Sequence, residues 1–404
     1  MELQNIFTKD FHYDLPSDRI AQYPLLERGE SKLLVYKGQK IIDDQFFNLH
    51  SYIDEGTLLV RNETRVVNAR LFFQRETGST IEIFCLSPHE PKDYFQVFQS
   101  KASCIWLCLV GNLKKWKEDC LISRKDLNSH SIELRAKKIE NHGSTCLIEF
   151  SWNDPQWIFS DILEIFGQIP IPPYLNRKSE EIDKSRYQTI FSKNEGSVAA
   201  PTAGLHFTPE IIQNLLQKNI EFANITLHVG AGTFKPIQSE KIVEHEMHKE
   251  EFFVDIKTIE KLANHEGKII SLGTTTTRAL ESLYWLALKL NIKMISLAPE
   301  MEVDQWLPYQ LSTDIDRRIL LNDLAKELLK NEMEFIKIST QIMIVPQYRF
   351  RMIDAMITNF HQPQSTLLLL VSAMIGAEWK KLYQHALDHS YRFLSYGDGS
   401  LLFL

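Results

Sequence analysis

The sequence predicts an α/β fold: a large mixed α/β domain with an inserted all-β barrel domain. Three observations predict it. Residues 70–152 read as a succession of short strands, some separated by turn-prone stretches, which is the pattern of a small barrel or sandwich. From residue 153 onward strand and helix alternate, which argues for a partly parallel sheet covered by helices. The first 69 residues hold a strand-like run, Thr57–Val60, and are read with 153–404 as one discontinuous domain around the 70–152 module.

Within the module the expected strands are Arg70–Phe73, Thr80–Phe84, Ile105–Val110, Ser131–Arg135 and Thr145–Phe150. Beyond it, Pro209–Lys218 reads as a helix, with Thr208 as its cap and Pro209 at the first helical position. Phe222–Val229 and Lys268–Leu272 read as strands. A threonine-rich loop should follow, then a long helix from about Arg278 to Leu290. Residues 290–337 look like a polar helical insert, clearest at Arg317–Met333. Gln341–Val345 and Ala355–Thr358 read as strands, and Thr366–Ile375 and Ala377–Leu387 as helix.

With 44% hydrophobic and 24% charged residues over 404, the chain has the composition of a folded globular protein. The net charge of −7 is not that of a protein basic all over, so any nucleic-acid contact must be local. Lys114-Lys115-Trp116-Lys117 is one such patch; it either meets a phosphate backbone and stacks a base, or is a solvated loop. The five cysteines, Cys85 to Cys146, form no CxxC pair, so neither disulfides nor a zinc site are expected and most should be buried. The N-terminus lacks a basic region followed by an apolar run, and the longest apolar run, near Leu367–Ile375, is too short to span a bilayer. A cytoplasmic protein without a membrane partner is expected.

Four polar segments beside apolar strands carry candidate chemistry. Gly196–Thr208 is rich in small residues, opens a helix and contains Thr202, Gly204 and His206. His206 is either an acid–base group or a structural histidine in a capped loop. Thr226–Phe234 runs a strand through His228 into Gly230, Gly232 and Thr233; the third glycine of a dinucleotide fingerprint is replaced by Lys235. His228 is either catalytic or a satisfied strand histidine. Glu244–His248 places His245 and His248 three apart, whereas a zinc-protease helix needs four, so no metal is expected there. His248 remains either an acid–base candidate or part of a solvated face. Gly273-Thr274-Thr275-Thr276-Thr277-Arg278 joins hydroxyls, backbone N–H groups and an arginine at a helix start, an arrangement suited to a carboxylate or phosphate. Two further polar turns, Thr358–Thr366 with Asn359 and His361, and Tyr391–Gly399 with Asp398, resemble these.

In this order the segments resemble the S-adenosylmethionine:tRNA ribosyltransferase-isomerase family. The resemblance runs through Phe11–Pro16, Ile20–Pro24, Asn62–Val66, Ile169–Tyr174, Asp183–Thr189, Ala200–Phe207, Leu227–Phe234, Gly273–Thr275, Ile357–His361 and Ser395–Asp398. It implies a large α/β domain with an inserted β-barrel, and S-adenosylmethionine as co-substrate with no tightly bound cofactor. It implies ribosyl transfer and isomerisation onto 7-aminomethyl-7-deazaguanine at the wobble position of tRNA. The expected tRNA has a GUN anticodon carrying the deazaguanine precursor. Epoxyqueuosine-tRNA, adenine and methionine would be the products and a monomer the working form. His206 and His228, with His248 and His361 behind them, are the acid–base candidates for this chemistry. Thr274, Thr275, Thr276 and Arg278 are candidates for the methionine carboxylate and Asp398 for its amino group. Departures are Glu63 for an aspartate, Gln347 for a glycine, Gln364 for a lysine, and the 290–337 insert. The competing readings are a diverged relative using S-adenosylmethionine on another acceptor, and a non-catalytic RNA-binding relative.

Overall fold

A computed structural model of the chain describes residues 3–127, 130–230 and 236–404. Gly232 and Thr233 therefore lie outside the described residues. The main sheet has ten strands. At its centre Glu221–His228, Leu58–Asn62, Ile269–Leu272 and Ala355–Asn359 run parallel, side by side. Every residue of Ile269–Leu272 and Ala355–Asn359 is buried, as expected for parallel strands covered on both faces. Gly399–Phe403, Lys32–Lys37 and Lys40–Gln45 extend the sheet on one side, and Glu250–Asp255, Phe335–Thr340 and Glu300–Val303 on the other. The parallel order brings His228, Asn62, Leu272 and Asn359 to the same edge, where α/β sheets place their ligands.

The second sheet has seven antiparallel strands, Arg70–Gln74, Thr80–Glu90, Ser103–Gly111, Cys120–Leu127, His130–Asn141, Cys146–Trp152 and Gly167–Gln168. Arg70–Gln74 and Cys120–Leu127, far apart in the hydrogen-bonded order, lie against each other. This sheet has its own core, built on Phe73, Trp106, Phe150 and Phe159. The core reaches past residue 152 to the helix Phe159–Phe166, and to Val67 and Val198 on the sequence flanks. Cys85, Cys104, Cys108 and Cys146 are buried in it as thiols.

The structure corrects four expectations. The threonine-rich segment is not a loop but the first turn of the helix Thr274–Asn291. Gly273, at φ +94, turns the chain out of the strand, and Thr277 Oγ1 bonds back to Gly273 O (3.2 Å) and to Ser271 Oγ (2.6 Å). Residues 290–337 are not solely helical: Glu300–Val303 pairs in parallel with Phe335–Thr340, and Leu320, Leu324 and Leu328 of Arg317–Lys330 enter the main core. The strand expected at Gln341–Val345 lies instead at Phe335–Thr340, whose alternating burial with exposed Phe335 hides it from a search for apolar runs. Trp116 is buried beneath Lys138 and offers no face to a base.

Candidate active site

A cavity opens at the common edge of the parallel strands. Thr202, Thr274, Thr275, Thr358, Asn359 and His361 line it, together with Tyr174 and Ser395. The cavity floor is the start of Thr274–Asn291, whose first backbone N–H groups have no partner within the helix. Four expected residues, Thr274, Thr275, Thr202 and Asn359, thus meet at one place with His361, although they come from three separate stretches of chain. The imidazole of His361 lies with Nε2 2.9 Å from Thr358 Oγ1. Burial pushes it down to about 3, so it is neutral near pH 7.

His206 stands behind this wall. Its Nε2 is 2.9 Å from Asn359 Oδ1 and its Nδ1 is 2.8 Å from Ser31 Oγ. The Asn359 NH₂ donates to Leu394 O (2.9 Å) and Ser395 O (3.2 Å), which turns its carbonyl toward the histidine. This network assigns the proton to His206 Nε2 and makes Nδ1 the acceptor. Burial pushes His206 down to about 4. The arrangement suits a fixed donor that orients Asn359.

His228 faces elsewhere. It lines a larger cavity on the other side of its strand, while its neighbour Val229 lines the first one. Its ring stacks on Tyr94 at 4.0 Å, and burial pushes it down to about 4. Gly196 makes room for it: a Cβ at that position would lie 2.4 Å from His228 Nδ1 and Cε1.

The remaining candidates are placed apart. Arg278 is buried in an ion pair with Glu250 (2.8 Å), and His248 Nε2 is 3.3 Å from the same carboxylate. Thr276 is fully buried and does not line the cavity. Asp398 accepts from the backbone N–H of Lys32 (3.0 Å) and of Arg392 (2.7 Å), so each of its oxygens holds the chain rather than a ligand. Gly204 packs against Thr189, and Gly230 lines neither cavity. Asp43, His385 and His389 cluster on the far side of the sheet, but their imidazole rings stack 3.8 Å apart at 16°, planes that cannot both contain one ion.

Residues 8–402 match the family described as queuosine biosynthesis protein. The chain belongs to this family. It is 36% identical over 399 residues to the S-adenosylmethionine:tRNA ribosyltransferase-isomerase of Chlorobium chlorochromatii, covering 97% of this chain and 98% of that one. It is 37% identical over 400 residues to the protein of the same name from Legionella pneumophila (strain Lens), covering 98% and 99%. A crystal structure of S-adenosylmethionine tRNA ribosyltransferase from Thermotoga maritima aligns over 97% of this chain and 99% of its own, at 26% identity and a TM-score of 0.45.

Gln347 holds φ +81, a backbone conformation more usual for glycine. Sequence reasoning passed over Tyr174, Ser395 and Thr358 as site residues although each lies in a motif it had quoted. Ser31 and Tyr94 carried no signal at all, because only the packing brings them to His206 and His228.

Proposed function

We propose that the chain is a cytoplasmic S-adenosylmethionine:tRNA ribosyltransferase-isomerase. It transfers and isomerises the ribosyl moiety of S-adenosylmethionine onto 7-aminomethyl-7-deazaguanine at the tRNA wobble position. Epoxyqueuosine-tRNA, adenine and methionine are released. The observation that carries this is the cavity lined by Thr202, Thr274, Thr275, Asn359 and His361 at the parallel strand ends, in a chain that matches its family from 8 to 402. No helix among the described residues is long and apolar enough to cross a membrane.

The free N–H groups and hydroxyls of Thr274 and Thr275 suit the methionine carboxylate, because a helix N-terminus favours a negative charge. Arg278, neutralised by Glu250, plays no part in that contact. The carbon beside the sulfonium carries acidic hydrogens, and a base must take one while an acid helps adenine leave. A base must be unprotonated first; burial keeps His361 and His228 so. His361 sits in the threonine-lined cavity and His228 at its border with the larger one. His206 acts through Asn359 as a positioning residue. The same reading takes 70–152, which supplies six of the seven strands of the second sheet, as an inserted β-barrel domain, supported by the contact of its far-apart strands, and the working form as a monomer.

The test is to incubate purified protein with S-adenosylmethionine and a GUN-anticodon tRNA carrying the deazaguanine precursor, then analyse nucleosides by mass. Epoxyqueuosine with stoichiometric adenine is expected. Adenine-free reactions from folded protein that binds S-adenosylmethionine would overturn the reading.

A further inference from the structure

The larger cavity has no role in the account so far beyond its border at His228. Its back wall is the face of Glu221–His228 that carries Asn224, Thr226 and His228 at alternate positions. The opposite face of the same strand, with Ile225 and Leu227, is buried in the main core.

Three features describe what would fit. The first is a continuous aromatic wall: Tyr94 stacks on His228 at 4.0 Å, Phe253 meets His228 edge-on at 5.6 Å, and Phe335 meets Phe253 at 5.9 Å. Phe335 is 52% exposed, so one of its faces is open to a ligand. The second is a leftover hydrogen-bonding pair. Asn194 spends its NH₂ on Glu63 (3.1 Å) and Thr226 (3.0 Å), leaving a carbonyl acceptor. Asn224 gives its carbonyl to Arg61 Nε (2.8 Å), leaving an NH₂ donor. The third is charge. Among the described residues, Glu63, Asp93 and Asp255 line the cavity against one lining cation, Lys193, which is itself 3.8 Å from Glu63. Asp93 and Asp255 each use one oxygen to cap a helix, at Gln96 N and Thr258 N, so each keeps a second.

We propose that this cavity holds the acceptor base of the RNA: a planar heteroaromatic ring stacked on the Phe253–Phe335 wall, its edge read by Asn194 and Asn224, its protonated amine near Asp93 and Asp255. Aromatic faces hold bases, amide groups read their edges, and carboxylates suit an ammonium while repelling phosphate. Consecutive residues, His228 and Val229, line the two cavities from opposite sides of one strand end, which puts a base held here one residue along the chain from the wall of the threonine-lined site. The identity of the base rests on the proposed function; the cavity's fit to a flat cationic group does not.

The test uses an anticodon stem-loop RNA with 2-aminopurine at the wobble position, whose fluorescence falls on stacking. Wild-type protein should quench it. Phe335→Ala should weaken RNA affinity about tenfold or more, the cost of losing one stacking face. The double change Asp93→Asn and Asp255→Asn keeps both helix caps, since asparagine caps as well. It should raise KM for tRNA bearing the aminomethyl base about tenfold with little effect on the 2-aminopurine RNA. S-adenosylmethionine affinity, by equilibrium dialysis, should stay within twofold in both. Absent quenching by wild type, an unchanged affinity in Phe335→Ala, or a loss of S-adenosylmethionine binding instead, would each overturn the proposal. Quenching without release of adenine from S-adenosylmethionine in the presence of tRNA bearing the aminomethyl base would sink the ribosyl-transfer reading and leave the base pocket standing.

Discussion

Among the histidines, protonation state separates roles that position in the sequence leaves equal. His206 is bonded on both ring nitrogens, to Asn359 and Ser31, so gaining a proton at Nδ1 would break its contact with the Ser31 hydroxyl hydrogen. A positioning role predicts that His206→Ala raises KM for S-adenosylmethionine and lowers kcat by about tenfold in all, while the shape of the pH–rate profile is kept. His206→Gln, which can still donate to Asn359, should recover part of it. Loss of one limb of the profile in His206→Ala would make it the base after all. Gly196 is the counterpart for His228. It sits at φ +141, and an added Cβ would strike the imidazole. Gly196→Ala should therefore displace His228 and cost about 1–3 kcal/mol of stability, measurable by chemical denaturation. An unchanged midpoint and activity would mean that the ring needs no such close support.

At the scale of elements, the helix Thr274–Asn291 decides the anion-binding geometry. It is buried nearly all round, which makes it an internal strut rather than an amphipathic cover. Its four threonines differ in what they face: Thr275 lines the cavity, whereas Thr276 is fully enclosed and its Oγ1 has no hydrogen-bond partner among the described residues. Thr275→Val should raise KM for S-adenosylmethionine roughly tenfold, the worth of a hydrogen bond to a charged group. Thr276→Val should leave KM alone and keep or slightly raise Tm, since it removes a polar group buried without a partner. Equal effects of the two changes would show that the helix start, not its hydroxyls, does the binding. The spacing of polar residues had marked this segment as an anion site but as a loop. Its β-branched residues argue against helix in isolation, and only burial between the sheet and the 290–337 segment overrides that preference.

For the molecule as a whole, buried titratable groups set the response to pH. Burial holds His206 and His228 near 4 and His361 near 3, all below the ordinary histidine value of 6.5. Lowered folded values mean that protons bind the unfolded chain first. The stability these groups permit is complete above pH 6.5 and is lost as pH falls toward 4. Each contributes at most on the order of 3–5 kcal/mol. Glu281 has the opposite sign: burial lifts its carboxyl to about 7, so its share is present below about pH 4.5 and lost as pH rises through 7. Three groups against one predict a denaturation midpoint that drops clearly between pH 7 and pH 5, and Glu281→Gln, which removes the opposing share, should steepen that drop. A flat midpoint from pH 7 to 5 would contradict the burial of these rings.

By itself the sequence determined the class of fold, the family and the set of loops that gather at the strand ends. Those are local or cumulative properties: small residues before a helix, buried runs of β-branched residues, motifs held in order along nearly the whole chain. It could not determine which polar groups are spent on one another. Arg278 and Asp398 read as ligand-binding residues because their types and neighbours suit that work, yet Glu250 and two backbone amides claim them across 28 residues and up to 366. Nor could it divide the histidines between two cavities, since that depends on Tyr94, in a short helix between two strands of the second sheet, and Ser31 of an early turn coming to lie against them. Ion pairs and ring stacks between distant segments are properties of packing, and only the tertiary structure fixes which partner each group meets.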